Sequence, residues 1–275
     1  MKTLLKYALV TGAGMGLGKA MAIHLASLGH NLLLIARHGE GLVQLCDKLS
    51  RLYEIKVHCM EADFTNEKTF GRLEQWLKSY SVNILVNNAG IGGSNYFLDA
   101  KIESIDAIIK VNIRATVLLT RLLIENLHKN TPAYILNIAS MASCCPIAFK
   151  TVYPASKSFI YSFSRGLHQE LKSLNIHISV LMPGPIKTNM EISSRIDKQG
   201  WWVKAGLQKP HEIAEIAIKK MFKQQSVIIP GYINKINWLL LKLLPKNVSI
   251  PMVSNAIKNE LPEVAAKLNA HALAN

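Results

Sequence analysis

The chain has 275 residues, 49% hydrophobic and 18% charged, which suits a globular protein with a sizeable core and excludes a disordered or fibrous one. A net charge of +14 should attract anions such as a phosphorylated cofactor, an acyl carrier or a lipid surface, yet no Lys/Arg-rich block marks a nucleic-acid binder. Cys46, Cys59, Cys144 and Cys145 lack C-x-x-C pairing and zinc-spaced histidines, so we expect reduced thiols, no metal site and a cytoplasmic location.

The start, MKTLLKYALVTG, lacks a long apolar run and a small-residue cleavage site, so no signal peptide is expected. Strand-length apolar runs then recur at 7–11, 31–36, 55–60, 83–88, 134–140, 177–183 and 226–230. They are apolar nearly throughout, as in strands buried on both faces of a parallel sheet. Helical stretches lie between them, such as LGKAMAIHLASLG and GLVQLCDKLSRLY. The alternation predicts an α/β fold, a Rossmann-type doubly wound parallel sheet of about seven strands in a single domain. We expect that catalytic domain over residues 1–232, with 233–275 as its C-terminal helical extension.

Gly12, Gly14, Gly16 and Gly18 fall between the first strand and the first helix. Leu17 breaks the G-x-G-x-x-G spacing, and Ala13 and Ala20 exclude a P-loop. A βα turn needs one or two glycines, and each extra one adds entropic cost. A close approach of the backbone to a pyrophosphate, at the positive end of a helix dipole, explains the surplus.

The stretch Thr11–Gly18 resembles the T-G-x-x-x-G-x-G pattern of the short-chain dehydrogenase/reductase family. Further matches follow in that family's order: NNAG at 87–90, Asn112 in a long helical stretch, Ser140 at the end of the fifth strand, and YPASK with Tyr153 and Lys157. Tyr153 and Lys157 are i and i+4 on a helix, so both leave the same face. PGPIKT at 183–188 resembles the family's P-G-x-x-x-T turn. The resemblance covers residues 7 to 230.

It implies hydride transfer between a nicotinamide and a carbonyl or alcohol carbon, with catalytic Asn112, Ser140, Tyr153 and Lys157. Cofactor contacts would come from Gly12, Gly14, Gly16, Gly18, Arg37, Asp63, Asn88, Ala89, Gly90, Tyr153, Lys157, Ile186 and Thr188. A free tyrosine titrates near ~10, so the Lys157 ammonium is expected to lower the Tyr153 pKa and make the phenol the general acid or base. Ser140 would stabilise the developing oxyanion. Asn112, by family likeness, would hold a water linking Lys157 to solvent.

The second strand ends in Ala36 and Arg37 rather than an acidic residue, which favours NADP(H) over NAD(H), because a guanidinium can hold a 2′-phosphate. Met15 stands where many NADP-preferring relatives carry a basic loop residue, so Arg37 must supply most of the discrimination. Glu40 is expected to start the next helix. Thr65 or Asn66 is expected to cap the one after, leaving Asp63 for the adenine amine.

Substrate choice would lie in 189–207, with Trp201 and Trp202 as lid, interface or packing residues, and in the C-terminus. The run WLLLKLL is too short to span a bilayer, which takes about 20 apolar residues. Residues 233–246, with Lys235, Lys242 and Lys246, either make peripheral contact with an anionic membrane or pack on the domain or a sister subunit, ahead of a helical tail from about Val253. The expected substrate is a small hydrophobic carbonyl or alcohol, and the family likeness suggests a homodimer or homotetramer on helices around 100–128 and 153–173. The alternative function is a catalytically silent NADP(H)-binding sensor or a membrane-peripheral scaffold of the same fold.

Overall fold

The structure is a computed structural model, and it describes residues 5–186 and 206–258. Those residues form a seven-stranded parallel sheet: β1 (Lys6–Thr11), β2 (Asn31–Ala36), β3 (Val57–Glu61), β4 (Ser81–Asn87), β5 (Ala133–Ile138), β6 (Ile176–Leu181) and β7 (Val227–Ile228). The spatial order is β3-β2-β1-β4-β5-β6-β7, so the direction of winding reverses between β1 and β4. The crevice at such a reversal is where open α/β sheets bind ligands.

Successive strand residues serve opposite faces, which explains why the strands read as unbroken apolar runs. Ala8, Val10, Leu32, Leu34, Ile84 and Val86 pack under α1 (Gly16–Ser27), α2 (Leu42–Tyr53) and α7 (Pro210–Phe222). Leu9, Leu33, Ile35, Leu85 and Ile135 face α3 (Thr69–Leu77), α5 (Ala115–Lys129) and α6 (Val152–Leu171). A short α4 (Ile102–Ile108) runs into α5 through a π-helical turn, Ile109–Arg114.

Several boundaries depart from the sequence expectation. β3 starts at Val57, where pairing with Leu32 begins, because Glu54 takes a left-handed turn (φ 54°) and residues 54–56 complete the connection. β7 is two residues long, since it pairs only with Val180 and Leu181 at the sheet edge. Glu40 does not start a helix: left-handed Gly41 (φ 66°) intervenes and α2 opens at Leu42. Neither Thr65 nor Asn66 caps α3, which starts at Thr69, because Asn66 Oδ1 accepts the Lys68 N–H ahead of the helix.

WLLLKLL forms the end of α8 (Tyr232–Leu243), with its last residue, Leu244, as the C-cap. Pro245 follows, and α9 (Lys246–Lys258) begins there rather than near Val253, with Pro245 O accepting the N–H groups of Val248 and Ser249. α8 is anchored by buried Asn234, whose Nδ2 donates to Gly206 O and Pro230 O at 3.0 Å each. Among the described residues no helix is long and apolar enough to cross a membrane.

Candidate active site

The crevice between the ends of β1 and β4 is built from backbone. Gly12 (φ 63°) and Gly16 (φ 55°) adopt left-handed conformations that suit glycine. A Cβ on Gly18 would enter the Gly12 carbonyl and the Asn88 amide, and one on Gly14 would lie 2.5 Å from Glu40 Cβ. No side chain caps the N-terminus of α1 and no acidic residue occupies its first turn, which leaves the helix end to an anion.

Thr11 and the NNAG turn lock this loop to β4. Thr11 Oγ1 accepts the N–H groups of Asn88 and Ala89, both at 3.0 Å. Asn88 Nδ2 donates to Thr11 O at 3.0 Å and Gly12 O at 3.1 Å. Asn87 belongs to a buried polar network instead, donating to Thr120 Oγ1 and Asn137 Oδ1.

Beside the loop a cleft of about 630 Å³ is lined by Arg37, His38, Glu40, Glu61, Asp63 and Arg72, among others. Arg37 Nε pairs with Glu40 at 3.0 Å, with Arg37 mostly exposed and Glu40 tucked against Gly14. His38 Nδ1 lies 2.6 Å from Glu61 Oε2, and the hydrogen bond that the imidazole donates to that carboxylate raises its pKa. Asp63 Oδ1 accepts from Thr65 N and Thr65 Oγ1 in a tight turn. The backbone bond from Thr65 is the main reason its carboxyl titrates below the usual range, with Arg37 adding to it.

The catalytic candidates meet at the ends of β5 and α6. Ser140 follows β5 in extended conformation (φ −168°), and its hydroxyl accepts the Ala142 N–H at 3.1 Å. Tyr153 lies in the first turn of α6 and Lys157 one turn on, with Lys157 Nζ 5.8 Å from the Tyr153 ring centroid. Lys157 is buried and donates to Ile138 O at 2.8 Å. Gly90 faces them, since a Cβ there would sit 3.2 Å from Lys157 Nζ and 3.4 Å from Asn112 Oδ1.

The electrostatics differ from the expectation at Tyr153. Burial pushes its pKa up, and a hydrogen bond with Ser140 pulls the other way. Burial also depresses Lys157, from 10.5 to about 8, because an ammonium loses hydration there. The expected lowering of the phenol by Lys157 is absent in the protein alone.

Asn112 sits in the π-helical turn, a device common where function needs a side chain re-aimed. Its Oδ1 accepts Ile91 N at 2.8 Å, and its Nδ2 donates to Ile91 O and Ser156 Oγ, each at 2.9 Å. Both amide hydrogens are therefore committed. Ile186 is partly buried against the core cluster under α1, α2 and α7 and is paired with Gln208 by an isolated parallel bridge. Thr188, Trp201 and Trp202 lie outside the described residues.

Sequence reasoning missed three contributors. Ser156, inside YPASK, joins Asn112 to the Tyr153 carbonyl by a 2.7 Å bond. Gly92 packs on the Tyr153 ring, where a Cβ would lie 3.3 Å from Cδ2. Ser254 reaches this region from α9. The first two sit beside recognised motifs, whereas nothing local to Ser254 signals its partner.

The donor set fits a nicotinamide dinucleotide: a cradle that Cβ atoms would fill, an uncapped helix end, a cation-bearing cleft and a buried lysine beside a tyrosine. Residues 6–199 match the family described as short chain dehydrogenase. The chain is 38% identical over 197 residues to a very-long-chain 3-oxoacyl-CoA reductase of Anas platyrhynchos, a match spanning 70% of this chain and 62% of that protein. It is 35% identical over 193 residues to 17-beta-hydroxysteroid dehydrogenase type 3 of Mus musculus, spanning 69% and 63%. The matches thus span under two thirds of the length of these curated relatives. Among solved structures, a short-chain dehydrogenase from Sphingobium yanoikuyae in complex with NADPH is 28% identical, with TM-score 0.76 over 86% of this chain and 92% of that one. A bulky-bulky ketone specific alcohol dehydrogenase from Comamonas testosteroni is 26% identical, with TM-score 0.73 over 89% and 96%. With its matched stretch, sheet order and glycine-lined crevice, the chain belongs to the short-chain dehydrogenase family.

Proposed function

We propose that this protein is an NADP(H)-dependent oxidoreductase acting on the carbonyl or secondary alcohol of a hydrophobic substrate: keto-acyl, steroid-like or another lipophilic ketone or aldehyde. The observation that carries the reading is the meeting of Ser140, Tyr153 and Lys157 beside the glycine-lined crevice. Substrates named for the relatives, 3-oxoacyl-CoA, hydroxysteroid and bulky ketone, support the apolar class.

When bound, the dinucleotide supplies or accepts the hydride. In the reducing direction Tyr153 gives its phenolic proton to the carbonyl oxygen, and the phenolate left behind recovers a proton by way of Lys157. The Ser140 hydroxyl donates a hydrogen bond to the same oxygen and stabilises the charge growing there. Lys157, with a pKa of about 8, is mostly protonated at neutral pH and has two ammonium hydrogens beyond its bond to Ile138 O. Asn112 holds the Ile91 peptide and, through Ser156, the first turn of α6 in register with Lys157. A relay water on Asn112 would use the second lone pair of Oδ1.

Gly12, Gly14, Gly16 and Gly18 would hold the pyrophosphate. Asn88, Ala89 and Gly90 would line the ribose side, and Lys157 and Tyr153 the nicotinamide ribose. Ile186 and Thr188 are assigned to the carboxamide and Asp63 to the adenine amine. Arg37 would take the 2′-phosphate through its terminal nitrogens, since Glu40 engages only Nε. In the cleft Glu40 is paired with Arg37 and Glu61 accepts a hydrogen bond from His38, while Arg72 adds positive charge, which supports a 2′-phosphate there. The NADPH complex of the Sphingobium yanoikuyae relative supports the same preference.

Exposed Ile109, Leu118 and Phe159 support a homodimer or homotetramer, and the free thiols of Cys46, Cys59, Cys144 and Cys145 support a cytoplasmic location. Exposed Tyr232, Ile236, Leu239, Leu240 and Leu243, with Lys235, Lys242 and Lys246 nearby, support peripheral contact of residues 233–246 with an anionic membrane.

The test is steady-state turnover with each dinucleotide and a panel of lipophilic ketones. Arg37→Ala is expected to raise the KM for NADPH about tenfold and to leave that for NADH nearly unchanged, as one charge-assisted phosphate contact requires. An equal effect on both dinucleotides contradicts the assignment.

A further inference from the structure

The segment 141–152 joins Ser140 to Tyr153, and α9 holds it from outside the sheet. Lys246 Nζ donates to Cys144 O at 3.0 Å. Cys145 Sγ lies 3.6 Å from Ser249 Oγ. Ser254 Oγ, buried, accepts the Ala148 N–H at 2.9 Å. These residues are 102 to 106 positions apart in sequence, so the attachment is a tertiary feature.

Phe149, next to Ala148, has φ +67°, a left-handed conformation disfavoured for a bulky residue. Such a conformation persists where its surroundings over-determine it. Ser254 fixes one side. On the other, Asn95 N donates to Phe149 O at 2.7 Å, and the Tyr96 ring meets Phe149 edge-on at 5.0 Å. The loop bearing Asn95 and Tyr96 also carries Gly92, which packs on the Tyr153 ring. The Tyr96 hydroxyl is buried with no hydrogen-bond partner among the described residues, so what this corner offers is the faces and edges of the two rings.

We propose that Ser254 is a positioning residue: by holding the Ala148 N–H it keeps Phe149 left-handed, so that Phe149 and Tyr96 form the apolar wall on which a bulky carbonyl substrate lies beside Tyr153. The inference rests on the oxidoreductase reading above for its substrate and goes beyond it in naming Ser254 as the residue, and Phe149 with Tyr96 as the wall, through which α9 acts on substrate choice. A helix that only packs would stabilise the fold without touching substrate choice.

Two measurements on the full chain test it. In hydrogen exchange followed by mass spectrometry, without cofactor, Ser254→Ala should speed exchange over 144–152 about tenfold while α1 and α5 stay as in wild type, and Ser254→Thr should restore protection. Unchanged exchange over 144–152 overturns the proposal whatever the activity. In turnover with NADPH, Ser254→Ala should raise the KM for a bulky aryl ketone about fivefold, the effect of one lost hydrogen bond, with kcat and the NADPH dissociation constant held. An unchanged KM, or a matched loss of kcat and NADPH affinity, overturns it. A wild type that reduces no ketone counts against the oxidoreductase reading, and the exchange result still decides Ser254. Should Ser254→Ala fail to fold, Phe149→Ala removes the wall and leaves the Ser254 bond in place: the same rise in KM is expected, and no rise overturns the proposal.

Discussion

Lys157 is held against its own hydration. Its ammonium is buried, donating to Ile138 O at 2.8 Å, and its pKa falls from 10.5 to about 8. Below about 8 the folded state carries that charge at a cost. Between about 8 and 10.5 the unfolded chain binds more protons than the folded one, so this group makes stability rise with pH in that window. We therefore expect wild type to gain on Lys157→Met by on the order of 3 kcal/mol as pH rises across the window, read from denaturant unfolding at each pH. A difference independent of pH would show that the amine is not desolvated. The same burial raises the Tyr153 phenol, so in the protein alone the pair is set for a proton donor rather than a phenolate.

At the scale of elements, the βα turn after β1 works because four side chains are missing from it. Gly18→Ala would drive a methyl group into the Gly12 carbonyl and the Asn88 amide, the contacts that tie the loop to the NNAG turn. Because the obstacle is backbone, relief requires the loop to move. We expect a loss of about 1–3 kcal/mol in stability, the usual range for overpacking, and at least a tenfold weaker NADPH affinity by fluorescence titration. Near-wild-type values in both would mean that the cradle is looser than its geometry.

This turn, the NNAG corner, Ser140 and the Tyr153–Lys157 pair were legible in the sequence because close backbone approach and helical spacing leave local marks. The start of β3 was not, since the choice between Ile55 and Val57 depends on where β2 offers partners. Asn112 was placed on a helix correctly, but its π-helical turn and its grip on Ile91 depend on a residue 21 positions away. The Tyr153 shift followed desolvation rather than the neighbouring amine, and burial is a property of the assembled site. Ser254 left no local mark at all.

Across the whole molecule the charge is uneven. Lys219, Lys220, Lys223, Lys235, Lys242, Lys246 and Lys258 occur between Glu215 and Glu260 with no acidic residue among them. Within that stretch α8 buries Asn234 and leaves Tyr232 78% and Leu243 72% exposed. Apolar side chains flanked by lysines suit an anionic interface, where each lysine near the surface contributes about 1 kcal/mol. The full chain should co-sediment with phosphatidylserine-containing vesicles, less with phosphatidylcholine alone, and less again in high salt. Leu239→Asp with Leu243→Asp should abolish the binding. Equal sedimentation of that variant and wild type would remove the membrane assignment and leave the stripe to a protein neighbour.

The most direct measurement is NADPH oxidation driven by a lipophilic ketone, wild type against Tyr153→Phe. The variant lacks only the phenolic oxygen, so NADPH should still bind while turnover falls by about 10² or more, the contribution of a positioned proton donor. Turnover equal to wild type would contradict the assignment of Tyr153 as the acid and with it the chemistry proposed for this site.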